Sequence, residues 1–186
     1  MAEFVRVSEG SIRPRPARLT AEEAAAVPLA GITALWAMRD AGAVQPGQHV
    51  LVNGASGGVG TFAVQIASGP PFDLMLDNVG NHAPTACLRV VKRGGTYVAS
   101  FDHPWNRWLG PMGRVLRMSM QARLAGKLMV LRQPERRDTD LDTLTELIDA
   151  GAVTPVVDRT FPLVDTRQAI EYLAGRHARG KVVITP

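Results

Sequence analysis

Cysteine is nearly absent from this 186-residue chain, where Cys87 stands alone. A single thiol closes no internal disulfide and supplies no multi-thiolate zinc site, so Cys87 reads as a small buried residue on a helix. The histidines offer a metal little more. His49, His82, His103 and His177 are scattered, with no two at the i, i+4 spacing that sets imidazoles on one helix face. No metal is expected. Long apolar runs are missing as well: residues 24–35 are broken by Pro28, Gly31 and Thr33, short of the roughly 18 residues a membrane helix needs. The N-terminus carries Glu3 and Arg6 and lacks the apolar core of a secretory signal, which points to a cytoplasmic protein with no membrane association.

Lysine is scarce too. Only Lys92, Lys127 and Lys181 occur, although the net charge is +4 and the sequence pI near 9.8. A basic balance raises nucleic acid as a partner. The arginines, however, are spread along the chain, and the densest group, Arg107, Arg114 and Arg117 beside Met112, Leu116 and Met120, has the near-helical spacing of a solvated amphipathic face. Nucleic-acid binding is therefore the least favoured class.

What the chain does have is 46% apolar residues, enough for a real core in one domain-sized unit. "EFVRV" alternates like a short strand, followed by a Pro-punctuated connection. Thr20 with Glu23 forms a capping box, opening a helix that runs to about Met38 and bends near Pro28 and Gly31. "HVLVN" is short, apolar and β-branched, like a strand covered on both faces. After "GASGG", Val59, Phe62, Ala63 and Ile66 fall at helical spacing. The order is strand, glycine loop, helix. Glycine lets main-chain N–H groups approach a phosphate, and the helix start adds partial positive charge.

Further on, "FDLMLDNVG" predicts a strand ending in polar residues, "HAPTACLRVVKR" a helix, "GGTYVASF" a strand, and residues 128–131 another. "DTDLDTLTELIDAG" reads as a helix capped by Asp138 or Thr139 and stopped by Gly151, and the tail as strand, helix, strand. These segments together resemble the medium-chain dehydrogenase/reductase superfamily: "EEAAAVPLAGITAL", "QPGQHVLVNGASGGVGTFAVQIA", "DLMLDNVG", "GGTYVAS" and the ending "VTPVVDRTFPL…AIEYL…GKVVI" follow in that superfamily's order. The branch they look like is the zinc-free quinone oxidoreductases.

The resemblance implies an α/β fold, a truncated doubly wound (Rossmann) parallel sheet with remnants of a GroES-like β domain: residues 1–20 from the GroES-like part, 21–151 the cofactor-binding domain, 152–186 the return. It implies NADPH, with NADH possible, no zinc, and hydride transfer to a quinone, enone or carbonyl substrate. Carried over by position, Ser56, Gly57, Gly58 and Val59 would cradle the pyrophosphate. Thr33, Asn78 and Val79 would lie by the nicotinamide, with Ser100, Phe101 and Lys181 as weaker members of the cofactor site. No catalytic side chain is assigned.

Two departures from the superfamily pattern matter. The chain begins where most of a GroES-like domain would already have passed, and only "SGPP" separates "VQIA" from "FDLMLDNVG", where two strands and a helix are expected. The lost strand carries the residues that grip the adenosine ribose. Asp77 lies about the right distance past the glycines for a ribose-binding acid, roughly 20 residues, but its D-N-V-G context matches a later strand. The deletion should leave "HVLVN" as an edge strand, keep the following helix on its original face and make the crossover left-handed. A homodimer is expected through residues 127–131, and the alternative to an enzyme is a non-catalytic dimerising remnant.

Overall fold

The computed structural model describes residues 4–66, 72–80, 82, 84–100, 116, 119–130, 137, 139–175 and 178–186. It divides the chain into two compact units, Met1–Leu35 with Ala55–Ile66 and Pro134–Pro186, and Trp36–Gly54 with Ala67–Gln133.

The first unit is built on α1 (Ala21–Leu35). Its start is the reciprocal capping box the sequence predicts: the Thr20 N–H donates to Glu23 Oε2 at 2.9 Å, and the Glu23 N–H to Thr20 Oγ1 at 3.2 Å. Val27, Ala30 and Ala34 recur at helical spacing and are buried. They make the stripe against which α2 (Gly58–Ile66) and α5 (Thr139–Asp149) pack, through Phe62, Ala63, Leu144 and Ile148. Two parallel strands, β5 (Val157–Pro162) and β6 (Lys181–Thr185), also touch α1, and α6 (Thr166–Ala174) connects them. Strand, helix and strand thus form in the tail as expected. The Pro-rich connection stays irregular but anchored: Arg18 donates to the carbonyls of Ile148 and Asp149 at the C-terminal end of α5, and Arg13 to Asp142 at 2.8 Å. "EFVRV" forms no strand. Among the described residues no strand pairs with positions 4–7, Phe4 is 88% exposed, and an unpaired strand leaves its own N–H and C=O groups without partners.

The second unit holds a parallel sheet in the order β1-β2-β3-β4, with β1 His49–Asn53, β2 Phe72–Asp77, β3 Val91–Ala99 and β4 Leu128–Val130. A π-helical turn, Trp36–Ala41, precedes it. α3 (Pro84–Val90) packs on β2 and β3, and helical residues 119–124, here α4, lead into β4. The core gathers Met75, Cys87, Leu88, Val91, Tyr97, Ala99 and Ala122. β3 starts three residues earlier than the sequence predicts. Val91 pairs with Phe72, the register then shifts, and Thr96 pairs with Leu74; Gly94 at φ 78° and Gly95 occupy the irregularity. β1 departs from a strand covered on both faces: all five residues are half-buried, and among the described residues it pairs with β2 alone. That is the edge position expected from the deletion. The hand of its crossover involves residues 67–71, outside the described set.

Candidate functional site

In the first unit the features of interest meet at the start of α2. Gly180, at φ 140°, brings the chain so close to the Val156 carbonyl that an added Cβ would lie 2.5 Å from that oxygen. Only glycine fits. Its neighbour Lys181, whose N–H donates to the same carbonyl at 2.8 Å, is thereby delivered to the first turn of α2. A Cβ on Gly58 would lie 2.6 Å from Lys181 Cδ and 3.5 Å from Nζ. The glycine leaves room for the lysine stem. Lys181 is half-buried, and burial holds its ammonium below the usual lysine pKa; among the described residues no carboxylate pairs with it. An unpaired, partly desolvated cation beside a helix N-terminus is a fit for an anion. Ser56 is exposed, and Gly57 and Val59 are half-buried in the same turn.

The second unit contributes the ends of β1 and β2. Asp77, 1% exposed, closes β2, and its carboxylate is shared by four donors. Asn53 Nδ2 at 2.7 Å, the Val79 N–H at 3.1 Å and the Gly80 N–H at 2.9 Å all donate to Oδ1, and the Tyr97 hydroxyl donates to Oδ2 at 2.8 Å. Buried to this degree, the carboxylate is out of reach of a ribose. Burial first, then the Asp77 hydrogen bond, pushes the Tyr97 phenol far up, and Cys87 behind it is raised by burial and by the Asp77 charge. Both stay neutral. The Asn78 N–H donates to the Asn53 carbonyl at 3.1 Å and the Ser100 N–H to the Asp77 carbonyl at 2.9 Å, so the three strand ends are laced together. Gly54, at φ 85°, packs so that a Cβ would lie 2.6 Å from Val79 Cγ2. Beside this lacing an apolar cavity of about 320 Å³ opens between β1, β2 and α3, lined by Leu51, Asn53, Met75, Ala86, Cys87 and Val90.

Of the residues expected at the cofactor, Asn78, Val79 and Ser100 stand together at these strand ends, and Gly58 and Lys181 meet in the first unit. Thr33 is half-buried in α1 with its hydroxyl donating to the Leu29 carbonyl at 2.7 Å. Phe101 lies outside the described residues. Sequence reading missed Asn53 and Tyr97. Their only signal is position, two strands each ending or passing beside Asp77, and that becomes visible with the pairing Asn53↔Asp77 and Leu76↔Val98.

A family profile of zinc-binding dehydrogenases matches residues 47–184. The chain belongs to that family. Among its relatives, the bovine (Bos taurus) mitochondrial NAD(P)H oxidoreductase RTN4IP1 is 28% identical over 240 residues, covering 99% of this chain and 60% of that protein. The chloroplastic quinone-oxidoreductase QR1 of Triphysaria versicolor is 26% identical, covering 100% and 68%. The quinone oxidoreductase structure from Coxiella burnetii superposes with a TM-score of 0.76 at 24% identity, over 96% of this chain and 65% of that one, which establishes the shared fold. These matches bear out the medium-chain dehydrogenase/reductase resemblance and its α/β parallel-sheet fold. The chain spans about 60% of the length of the RTN4IP1 relatives. The bovine alignment runs over 240 positions against 186 residues here, so at least 54 of its positions have no counterpart in this chain. No helix among the described residues is long and apolar enough to cross a membrane.

Proposed function

We propose that this chain is the nicotinamide-dinucleotide part of an oxidoreductase of the quinone reductase/alcohol dehydrogenase-like type, acting on a quinone, enone or carbonyl substrate. The observation that carries the reading is Lys181, a half-buried ammonium with no carboxylate partner among the described residues, set against Gly58 at the start of α2. The buried, unpartnered carboxamide of Asn78 supports it from the second unit. The dinucleotide, NADPH or NADH, would supply or accept the hydride; the chain's own residues bind and orient it. Ser56, Gly57, Gly58 and Val59 offer main-chain N–H groups to the pyrophosphate, and Lys181 offsets its charge. Asn78, Val79 and Ser100 are assigned to the nicotinamide end, to which the sequence resemblance alone adds Thr33. The sequence resemblance adds Phe101.

We assign no zinc to this chain despite the family's name. Among the described residues no three His, Cys, Asp or Glu side chains converge, and Cys87 is buried in the core. The second reading, a dimerising remnant without catalysis, is favoured by the 54 or more alignment positions without a counterpart and by the burial of Asp77 among donors of its own chain. Its dimer surface would be β4 with the helical residues before it, where Leu116, Met120, Leu124 and Leu128 follow at four-residue intervals and all are more than half exposed. Nicotinamide fluorescence during titration with NADPH separates the two readings. Enhancement that saturates supports the oxidoreductase; a flat trace at millimolar NADPH leaves the remnant.

A further inference from the structure

Among the described residues, Asn78 is the one polar side chain with both donor and acceptor buried and both without a hydrogen-bond partner. Its backbone is held fast. Its own N–H reaches the Asn53 carbonyl, and the next two N–H groups reach Asp77 Oδ1, itself anchored by Asn53 and Tyr97. Buried polar groups left unsatisfied are uncommon, and each asks for a reason. A single partner satisfying both atoms presents an acceptor and a donor together, as a water molecule or a primary carboxamide does, and of these only the carboxamide belongs to the cofactor. A quinone or an enone offers acceptors only.

We infer that Asn78 is a specificity-determining residue whose side-chain carboxamide pairs with the carboxamide of the nicotinamide ring, Nδ2 donating to its oxygen and Oδ1 accepting from its NH₂. This rests on the dinucleotide reading above. The pairing selects the cofactor and leaves the choice of substrate to other residues. It also explains why an amide stands where an apolar residue of the same size would leave nothing unpaired.

The test compares binding of three probes to the 186-residue chain: NADP⁺, its 3-acetylpyridine analogue, which replaces the amide NH₂ with a methyl group, and ADP-ribose, which lacks the ring. The wild type should bind the analogue at least about tenfold more weakly than NADP⁺. Asn78→Leu should level the two dinucleotides while leaving ADP-ribose affinity unchanged, and without ligand it should unfold at or above the wild-type midpoint. Equal binding of NADP⁺ and its analogue by the wild type overturns the inference, a result that needs no variant to fold. So does a parallel loss of all three probes with a lowered midpoint in Asn78→Leu, the signature of a purely structural amide. A wild type that binds none of the three fells the dinucleotide reading, and the inference with it; discrimination failing while ADP-ribose binds fells the inference alone.

Discussion

At the scale of the residue, the chain sets one cation and one carboxylate in opposite situations. Lys181 is half-buried with no carboxylate partner among the described residues, while Asp77 is buried with four donors. Burial lowers the Lys181 pKa, so between that lowered value and the ordinary value of about 10.4 the unfolded chain binds the extra proton. Its contribution therefore destabilises the fold at neutral pH and is relieved as pH rises through that window. An anion on α2 reverses the balance by favouring the charged form. Lys181→Met is predicted to raise stability slightly without ligand, and to weaken ADP-ribose binding about ten- to a hundredfold, the worth of one charge-assisted hydrogen bond. Thermal unfolding and calorimetry read the two effects separately. Tyr97→Phe removes the single hydroxyl donating to Asp77 Oδ2 and should cost about 1–3 kcal/mol in urea unfolding, since it leaves that oxygen buried without this donor. A cost near zero would mean that water or another group replaces it.

Among the elements, β1 is the one most altered by what this chain lacks. Its residues carry no Asp, Glu, Lys, Arg or Pro to blunt an exposed edge, and all five are half-buried. Val50→Lys should reduce concentration-dependent aggregation on mild heating, whereas an unchanged aggregation rate would show that some other surface drives it. On the helix before the opposite edge strand, Leu124→Glu is predicted to convert a homodimer into monomer by light scattering at tens of micromolar; a monomeric wild type would remove the dimer altogether. These elements also show what was legible in the sequence. The capping box at Thr20, the helix of Val59, Phe62 and Ala63, and the Lys181–Thr185 strand follow from local chemistry, and each forms where expected. The early start of β3 and the loss of the "EFVRV" strand depend on pairing with distant chain, which no local pattern encodes. The glycine loop and D-N-V-G turn announced a site, but the Asp77–Tyr97 bond joins residues 20 apart through sheet register, and Lys181 meets Gly58 across most of the sequence.

For the molecule as a whole, we propose that the anion site at α2 and the laced strand ends serve the cofactor, while no residue is assigned to the adenosine ribose or its 2′-phosphate. Two lost charge-assisted contacts, each worth roughly 1.5–3 kcal/mol, would weaken binding by orders of magnitude and erase the basis for telling NADPH from NADH. Zinc should play no part: protein purified in metal-free buffer is expected to carry far less than one equivalent by elemental analysis. Isothermal titration of the wild-type chain with NADPH and NADH side by side reads the missing ribose contacts most directly. Measurable binding of both is expected, with dissociation constants well above about 1 μM and within a few-fold of each other. Sub-micromolar binding of NADPH with a clear preference over NADH would contradict it, because a ribose-phosphate site would then have to exist in these 186 residues.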